Sequence, residues 1–283
     1  MKTILLLLSV FCSIVSLAQS DPTWRSWNQP VEPFRIVGNV YYVGASDIAS
    51  YLITTPRGHI LLDGGFVETA PMIRDNIRKL GFKVKDVKYL LNSHAHFDHA
   101  AGLAQLKQWT GARFLASRAD GDQIARGGHN DPMWGDKLTF PALKPDGYLS
   151  DSAKVSLGDT VMTARLTPGH TKGCTTWTTD VEEAGHLYHV LFLCSTSAPG
   201  YKLVNNPNYP NIVDDYRHTF GYLKTLPCDV FLAAHASFFR MTEKRAAQKT
   251  NTAQNPFIDP KEFPEFLAES QRQFESQLKK EQQ

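Results

Sequence analysis

After its first eighteen residues the chain has no apolar run approaching the about 20 residues needed to cross a bilayer. A surplus of one charge is missing too: 30 basic and 28 acidic residues leave a net charge of +2. Nothing electrostatic therefore favours nucleic acid or an anionic membrane as a partner. Cysteine is scarce, with four in 283 residues, too few for a scaffold built on disulfides. No Gly-x-Ser-x-Gly elbow occurs, which removes the α/β-hydrolase kind of serine nucleophile. Low-complexity tracts and short repeats are absent as well. What remains, 42% hydrophobic and 20% charged, is an ordinary globular chain able to bury a sizeable core.

The one long apolar stretch stands at the start. Met1-Lys2 precedes an apolar run from Ile4 to Leu17, and Ser16-Leu17-Ala18 places small residues at −3 and −1 of a cut before Gln19. That layout is a secretory leader, with residues 1–18 removed and residues 19–283 left as a single exported domain. Loss of Cys12 leaves Cys174, Cys194 and Cys228, an odd number, so one bridge and one free thiol are expected in an oxidising compartment.

Pro22, Pro30 and Pro33 mark an irregular lead-in that carries Trp24 and Trp27. Short β-rich runs follow at Phe34 to Val37, Val40 to Val43, Ser50 to Thr54 and His59 to Leu62, with turn residues between them. Pro71 to Leu80 has helical spacing and stops at Gly81. Strand, helix and strand come next at Val87 to Leu91, Ala100 to Trp109 and Arg113 to Ala116. The segment Gly127 to Ser152 reads as a long loop. Strands return at Lys154 to Val155, Val161 to Leu166, Cys174 to Thr179 and His189 to Cys194. A helix near Val213 to Leu226, a strand Val230 to Ala233, a helix around Thr242 to Lys249 and a last amphipathic helix after Pro264 complete the chain. Strands then helices, twice over, predict a layered α/β protein of two similar halves.

The run Asn92-Ser93-His94-Ala95-His96-Phe97-Asp98-His99 carries most of the chemistry. It lies between an apolar strand and a helix. His94 and His96, two apart in extended backbone, point to the same side and can share one ion. Asp98 and His99 follow where the chain turns, within reach of a second ion about 3.5–4 Å away. Imidazole nitrogen and carboxylate oxygen are zinc donors, and catalytic zinc sites use about three of them beside an open position. A lone buried histidine is usually structural, but three of the ten histidines and an aspartate within six residues point to metal. His170, in Thr167-Pro168-Gly169-His170-Thr171, and His235, in Leu232-Ala233-Ala234-His235, both follow strands and complete the donor set.

The HxHxDH run, the earlier Leu61-Leu62-Asp63-Gly64-Gly65 and the later Pro168-Gly169-His170-Thr171 resemble the metallo-β-lactamase superfamily, over nearly all of the chain from about Trp24. The resemblance implies a four-layer αβ/βα sandwich. Many relatives, such as glyoxalase II, carry an aspartate bridging two metals after the strand that here is Val190 to Leu193; this chain continues Cys194-Ser195-Thr196-Ser197 instead. That stretch, with Ala198-Pro199-Gly200-Tyr201, Asn206-Pro207 and Leu226-Pro227-Cys228-Asp229-Val230, is similar to subclass B3.

By that resemblance two Zn(2+) ions are implied, the first on His94, His96 and His170 and the second on Asp98, His99 and His235. A zinc-bound hydroxide then attacks the amide carbonyl of a β-lactam antibiotic, with Asp98 orienting the nucleophile. Ser195 and Ser197 are implied to meet the substrate carboxylate. Trp134 and Leu138 in the long loop, and Trp24 and Trp27 before the first strand, are candidates to cover it, with core packing the alternative for each. Asp63 is expected to hydrogen-bond the metal loop from behind. A disulfide Cys174–Cys194 is implied, which leaves Cys228 free and buried. The expected protein is a periplasmic monomer acting on a small molecule. The rivals are a lactonase or thioester hydrolase on the same scaffold, and a secreted zinc-binding protein without catalysis, against which the open coordination positions argue.

Overall fold

The computed structural model describes residues 21–198, 200–250 and 254–283; the expected leader, residues 1–18, lies outside them. Twelve strands form two sheets among the described residues. The first runs in sequence order: β1 (Phe34–Val37), β2 (Val40–Tyr42), β3 (Tyr51–Thr55), β4 (Gly58–Leu62), β5 (Val87–Leu91), β6 (Arg113–Ser117) and β7 (Gly147–Leu149). The second has the order β12 (Val230–Ala233), β11 (His186–Leu193), β10 (Thr175–Glu183), β9 (Thr160–Leu166), β8 (Lys154–Leu157).

The layering follows from alternation of side chains along the central strands. In β3, Tyr51 and Ile53 enter the core between the sheets, while Leu52 faces the other way. In β4, Ile60 and Leu62 do the same and Leu61 turns outward. The outward set packs on Ala70, Ile73 and Ile77 of helix α2 (Thr69–Lys79) and on Leu103 and Leu106 of α4 (Leu103–Thr110). Because both faces are covered, all five residues of β4 are buried, as expected of a strand inside an α/β layer. On the far side, Phe220 and Leu223 of α6 (Ile212–Leu223) and, after α7 (Met241–Lys249), Phe263, Leu267, Phe274 and Leu278 of α8 (Glu262–Glu281) join the core that also holds β11 and β12. The result is helix, sheet, sheet, helix, the four-layer αβ/βα sandwich. The halves are alike in plan but not in size, with seven strands against five.

Four segments differ from the sequence reading. The lead-in contains a helix, α1 (Pro22–Trp27), whose N-cap Asp21 accepts from the backbone of Thr23 and Trp24; Asp-Pro is a start signal, masked in the sequence by the two prolines that follow. Helix α5 (Arg118–Ala125) was not foreseen, because the face it buries is Asp120, Gly121, Gln123 and Ile124, with almost no apolar stripe. The long loop ends in β7, three residues that extend the edge of the first sheet on β6. The hairpin of β10 and β11 also runs further than its apolar part, closing on Ala184 and Gly185, both at positive φ, the requirement of a two-residue type I′ turn.

Candidate metal centre

Every candidate metal ligand hangs from the carboxyl end of a strand, and so do Asp63 and Ser195. Asp63 follows β4, the run His94 to His99 follows β5, His170 follows β9, Ser195 follows β11 and His235 follows β12. β4 and β5 run parallel, as do β11 and β12, so these ends gather along one edge of the sandwich, where open α/β sheets place their ligands. Locally, His96 is still extended (φ −82°, ψ 153°) and caps the short helix α3 (Phe97–Ala100). Asp98 and His99 therefore leave the first helical turn and diverge from the two histidines before them. Gly64 lets this loop settle: a Cβ there would lie 2.7 Å from the amide nitrogen of Leu103.

The six donors converge. The ring centres of His94, His96 and His170 lie 4.9, 4.7 and 4.6 Å apart pairwise, and one nitrogen of each falls within 4.8 Å of the others. Asp98 Oδ2 is 3.2 Å from His99 Nε2 and 3.6 Å from His235 Nε2, and those two nitrogens are 3.3 Å apart. His94 also groups with Asp98 and His99, so it stands between the two clusters.

Hydrogen bonds behind the rings decide which nitrogen faces inward. His170 Nδ1 donates to the carbonyl of Ser197 at 2.8 Å, and His235 Nδ1 donates to Asp47 Oδ2 at 2.8 Å. Ser93 Oγ is 3.0 Å from His94 Nδ1. The Tyr201 hydroxyl is 3.3 Å from His96 Nε2 and donates to the His170 carbonyl. The inward atoms are thus Nε2 of His94, His170 and His235, and Nδ1 of His96. Such partners fix ring orientation and basicity in metal sites.

Electrostatics separates the two clusters. Burial holds the His94 and His170 imidazoles well below their usual range and brings His96 down to about 4; neutral rings offer lone pairs. Burial alone raises a carboxyl, yet His99 and His235 hold Asp98 well below the ordinary carboxylate range. For His235 burial pulls downward, but Asp47 and Asp98 prevail and lift it to about 9. Zinc takes nitrogen and carboxylate donors; the neutral rings of His94, His96 and His170 offer free inward lone pairs and Asp98 its charge, so the donor set suits a metal cofactor.

The other sequence candidates divide around this centre. Asp63, held at φ 65°, accepts from the backbone of Ser93 at 2.6 Å, and its Oδ2 lies 3.8 Å from His99 Nδ1. Burial pushes its carboxyl up to about 6. Ser195 is buried, and its hydroxyl is 2.9 Å from that of the half-buried Ser197. Leu138 is buried with Ile48, Phe66 and Phe97, and Trp24, Trp27 and Trp134 pack on that group. Trp27 meets the His235 ring edge to face at 5.3 Å. Cys174 and Cys194 form a disulfide, Cα to Cα 5.9 Å; Cys228 is free but half-buried rather than buried. Sequence reasoning gave no role to Asp47, Asp120 or Tyr201. Asp47 lies 188 residues from its partner His235, and no local pattern announces such a pair.

A superfamily profile, the metallo-β-lactamase superfamily, matches residues 43–235. The chain belongs to the metallo-β-lactamase superfamily. It is 43% identical to the native FEZ-1 metallo-β-lactamase of Legionella gormanii, covering 90% of this chain and 98% of that one at a TM-score of 0.88. It is 42% identical to BJP-1, a subclass B3 metallo-β-lactamase of Bradyrhizobium japonicum, covering 91% and 97% at a TM-score of 0.86. These neighbours agree with the subclass B3 resemblance of the sequence. Among curated proteins, the N-acyl homoserine lactonase AttM of Agrobacterium fabrum is 31% identical over 154 residues, 44% of this chain and 56% of the lactonase. The chain thus matches about half the length of that relative.

Proposed function

We propose that this chain hydrolyses the amide bond of β-lactam antibiotics, penicillins, cephalosporins and carbapenems, with two zinc ions. The observation that carries the reading is the end of β11. Ser195 stands there with its hydroxyl turned to Ser197, where a bridging carboxylate would have made a lactonase-like centre, while His99 and His235 gather around Asp98. Overall likeness to subclass B3 enzymes supports it.

In this reading His94, His96 and His170 hold the first ion, and Asp98, His99 and His235 the second. Zinc supplies Lewis acidity and a water whose pKa is lowered from 15.7 toward about 7. The residues do the rest. Asp98, kept ionised by His99 and His235, accepts a hydrogen bond from the attacking water and aims it at the carbonyl. Ser197, with Ser195 behind it, donates to the substrate carboxylate. Trp24, Trp27 and Trp134, with the buried Leu138 packed behind them, form the apolar wall against which the substrate's side group lies and from which water is excluded. No protein nucleophile takes part, so no acyl-enzyme forms. Export through the leader places the enzyme as a monomer in the periplasm, where Cys174 and Cys194 oxidise and antibiotics are met.

The second reading, a lactonase, rests on the likeness to AttM. Turnover of nitrocefin, a carbapenem and an N-acyl homoserine lactone, each with and without a chelator, separates the two. Chelator-sensitive cleavage of the β-lactams is expected. Lactone cleavage without β-lactam cleavage reverses the assignment, and zinc binding without any turnover leaves a zinc-binding protein.

A further inference from the structure

We propose that Asp120 is a positioning residue that sets the triangle of His94, His96 and His170 by tying together the two loops that carry it. This rests on the reading that those three histidines share an ion. The loops belong to different sheets: His94 and His96 follow β5 of the first, and His170 follows β9 of the second. Near the strand ends they are joined by the Thr175 amide donating to the Ser93 carbonyl at 2.8 Å and by Trp177 Nε1 donating to the Asn92 carbonyl at 3.0 Å. Nearer the ligands the connection runs through one carboxylate.

Asp120, 2% exposed, lies on α5. Its Oδ2 accepts from the backbone of Ala95, between the two histidines, at 3.0 Å, and from Thr171 Oγ1, next to His170, at 2.7 Å. Its Oδ1 accepts from the Gly173 amide at 2.8 Å. The approach is built for contact: a Cβ on Gly173 would lie 2.3 Å from Ser117 Oγ and 2.7 Å from Asp120 Oδ1. Ser117 Oγ in turn donates to the Gly173 carbonyl at 2.6 Å. Three donors on two oxygens demand a carboxylate, because an amide would set its NH2 against a backbone N–H. A small displacement between the loops would open the triangle, and ligand geometry tolerates little of that.

The test is stepwise zinc titration of the full mature chain against a competing chelator, in the wild type, Asp120→Asn, Thr171→Val and Thr171→Ser. Asp120→Asn should weaken the site of His94, His96 and His170 by about 10–100-fold, the usual effect of losing a supporting hydrogen bond, and leave the site of Asp98, His99 and His235 near its wild-type affinity. Thr171→Val should weaken the same site less, and Thr171→Ser should restore it. Cobalt substitution gives a second readout, since the absorption bands of the displaced triad should shift. If Asp120→Asn does not fold, Thr171→Val against Thr171→Ser decides. Wild-type affinity at that site in both Asp120→Asn and Thr171→Val, equal weakening of both sites, or no zinc bound by the wild type overturns the proposal. Zinc loading without β-lactam turnover counts against the proposed function and leaves this inference standing.

Discussion

Asp47 Oδ2 stands 2.8 Å from Nδ1 of His235, while its Oδ1 takes the amide of Ser237 at 2.7 Å. One carboxylate thus fixes both the ring and the backbone just after it, and leaves His235 Nε2 facing Asp98. Asp47→Ala should lower zinc affinity at the Asp98, His99 and His235 site by about 10–100-fold, the range for lost supporting partners. The other site should not change. Chelator competition on both sites checks this; equal affinities in variant and wild type would show that Asp47 only fills space.

The same pair predicts a pH dependence. In the metal-free protein His235 is lifted to about 9, so at pH 7 it holds a proton that must leave before a metal binds. Apparent affinity at its site should therefore climb about tenfold per pH unit from pH 7 to 9. The imidazoles of the other site are already neutral, with His96 down to about 4, and its affinity should stay flat over that range. Stability of the metal-free protein has the matching sign. A folded-state pKa raised above about 6.5 contributes stability that is present below that value and lost as pH rises through about 9. Titrations at three pH values and metal-free melting curves test both halves.

Much of this was readable in the chain, for physical reasons that also mark the limit. Strong two-residue periodicity and apolar runs located β3, β4, β5 and β12 within a residue or two, because buried strands must be apolar. The grouping of the six candidate ligands was legible because three histidines and an aspartate in six residues have little other use, and because His170 and His235 follow strands; the structure brings the six side chains together. Helix α5 was not, since apart from Ile124 the face it buries carries no large apolar side chain, and its Asp120 bonds to the loops that carry His96 and His170. Asp47 and Asp120 are single acids whose meaning depends on partners 188 and at least 25 residues away; only the fold brings them together.

Ser197 offers the kinetic prediction. Its carbonyl takes the His170 ring and the Tyr216 hydroxyl, so its backbone is fixed while its own hydroxyl remains beside that of Ser195. Ser197→Ala should raise KM for a β-lactam about tenfold, the loss of about 1.4 kcal/mol of binding, with kcat changed far less. Ser195→Ala should act in the same direction but more weakly, through the hydroxyl it orients. An unchanged KM in the double variant would remove both from substrate binding.

A buried ion pair anchors the start of the last helix. Lys244 and Glu262, each 5% exposed, are in direct contact, and Arg240 Nε donates to the same carboxylate at 2.9 Å. Glu262 begins α8, whose Gln277 donates to the Tyr201 carbonyl at 2.9 Å and whose Glu281 accepts from the amides of Leu203 and Val204. Tyr201 in turn touches His96. Glu262→Gln strands a buried ammonium and should cost about 3–5 kcal/mol, the range for breaking such a pair from one side. Lys244→Met should cost clearly less, because Arg240 still meets the carboxylate and the methionine fills the space apolarly. Adding Lys244→Met to Glu262→Gln should recover most of the loss, since no charge is then left buried and Arg240 turns to water and Asp259, 3.5 Å away. Urea unfolding of the three variants gives the comparison; equal losses from the two single changes would show that Arg240 does not share the load.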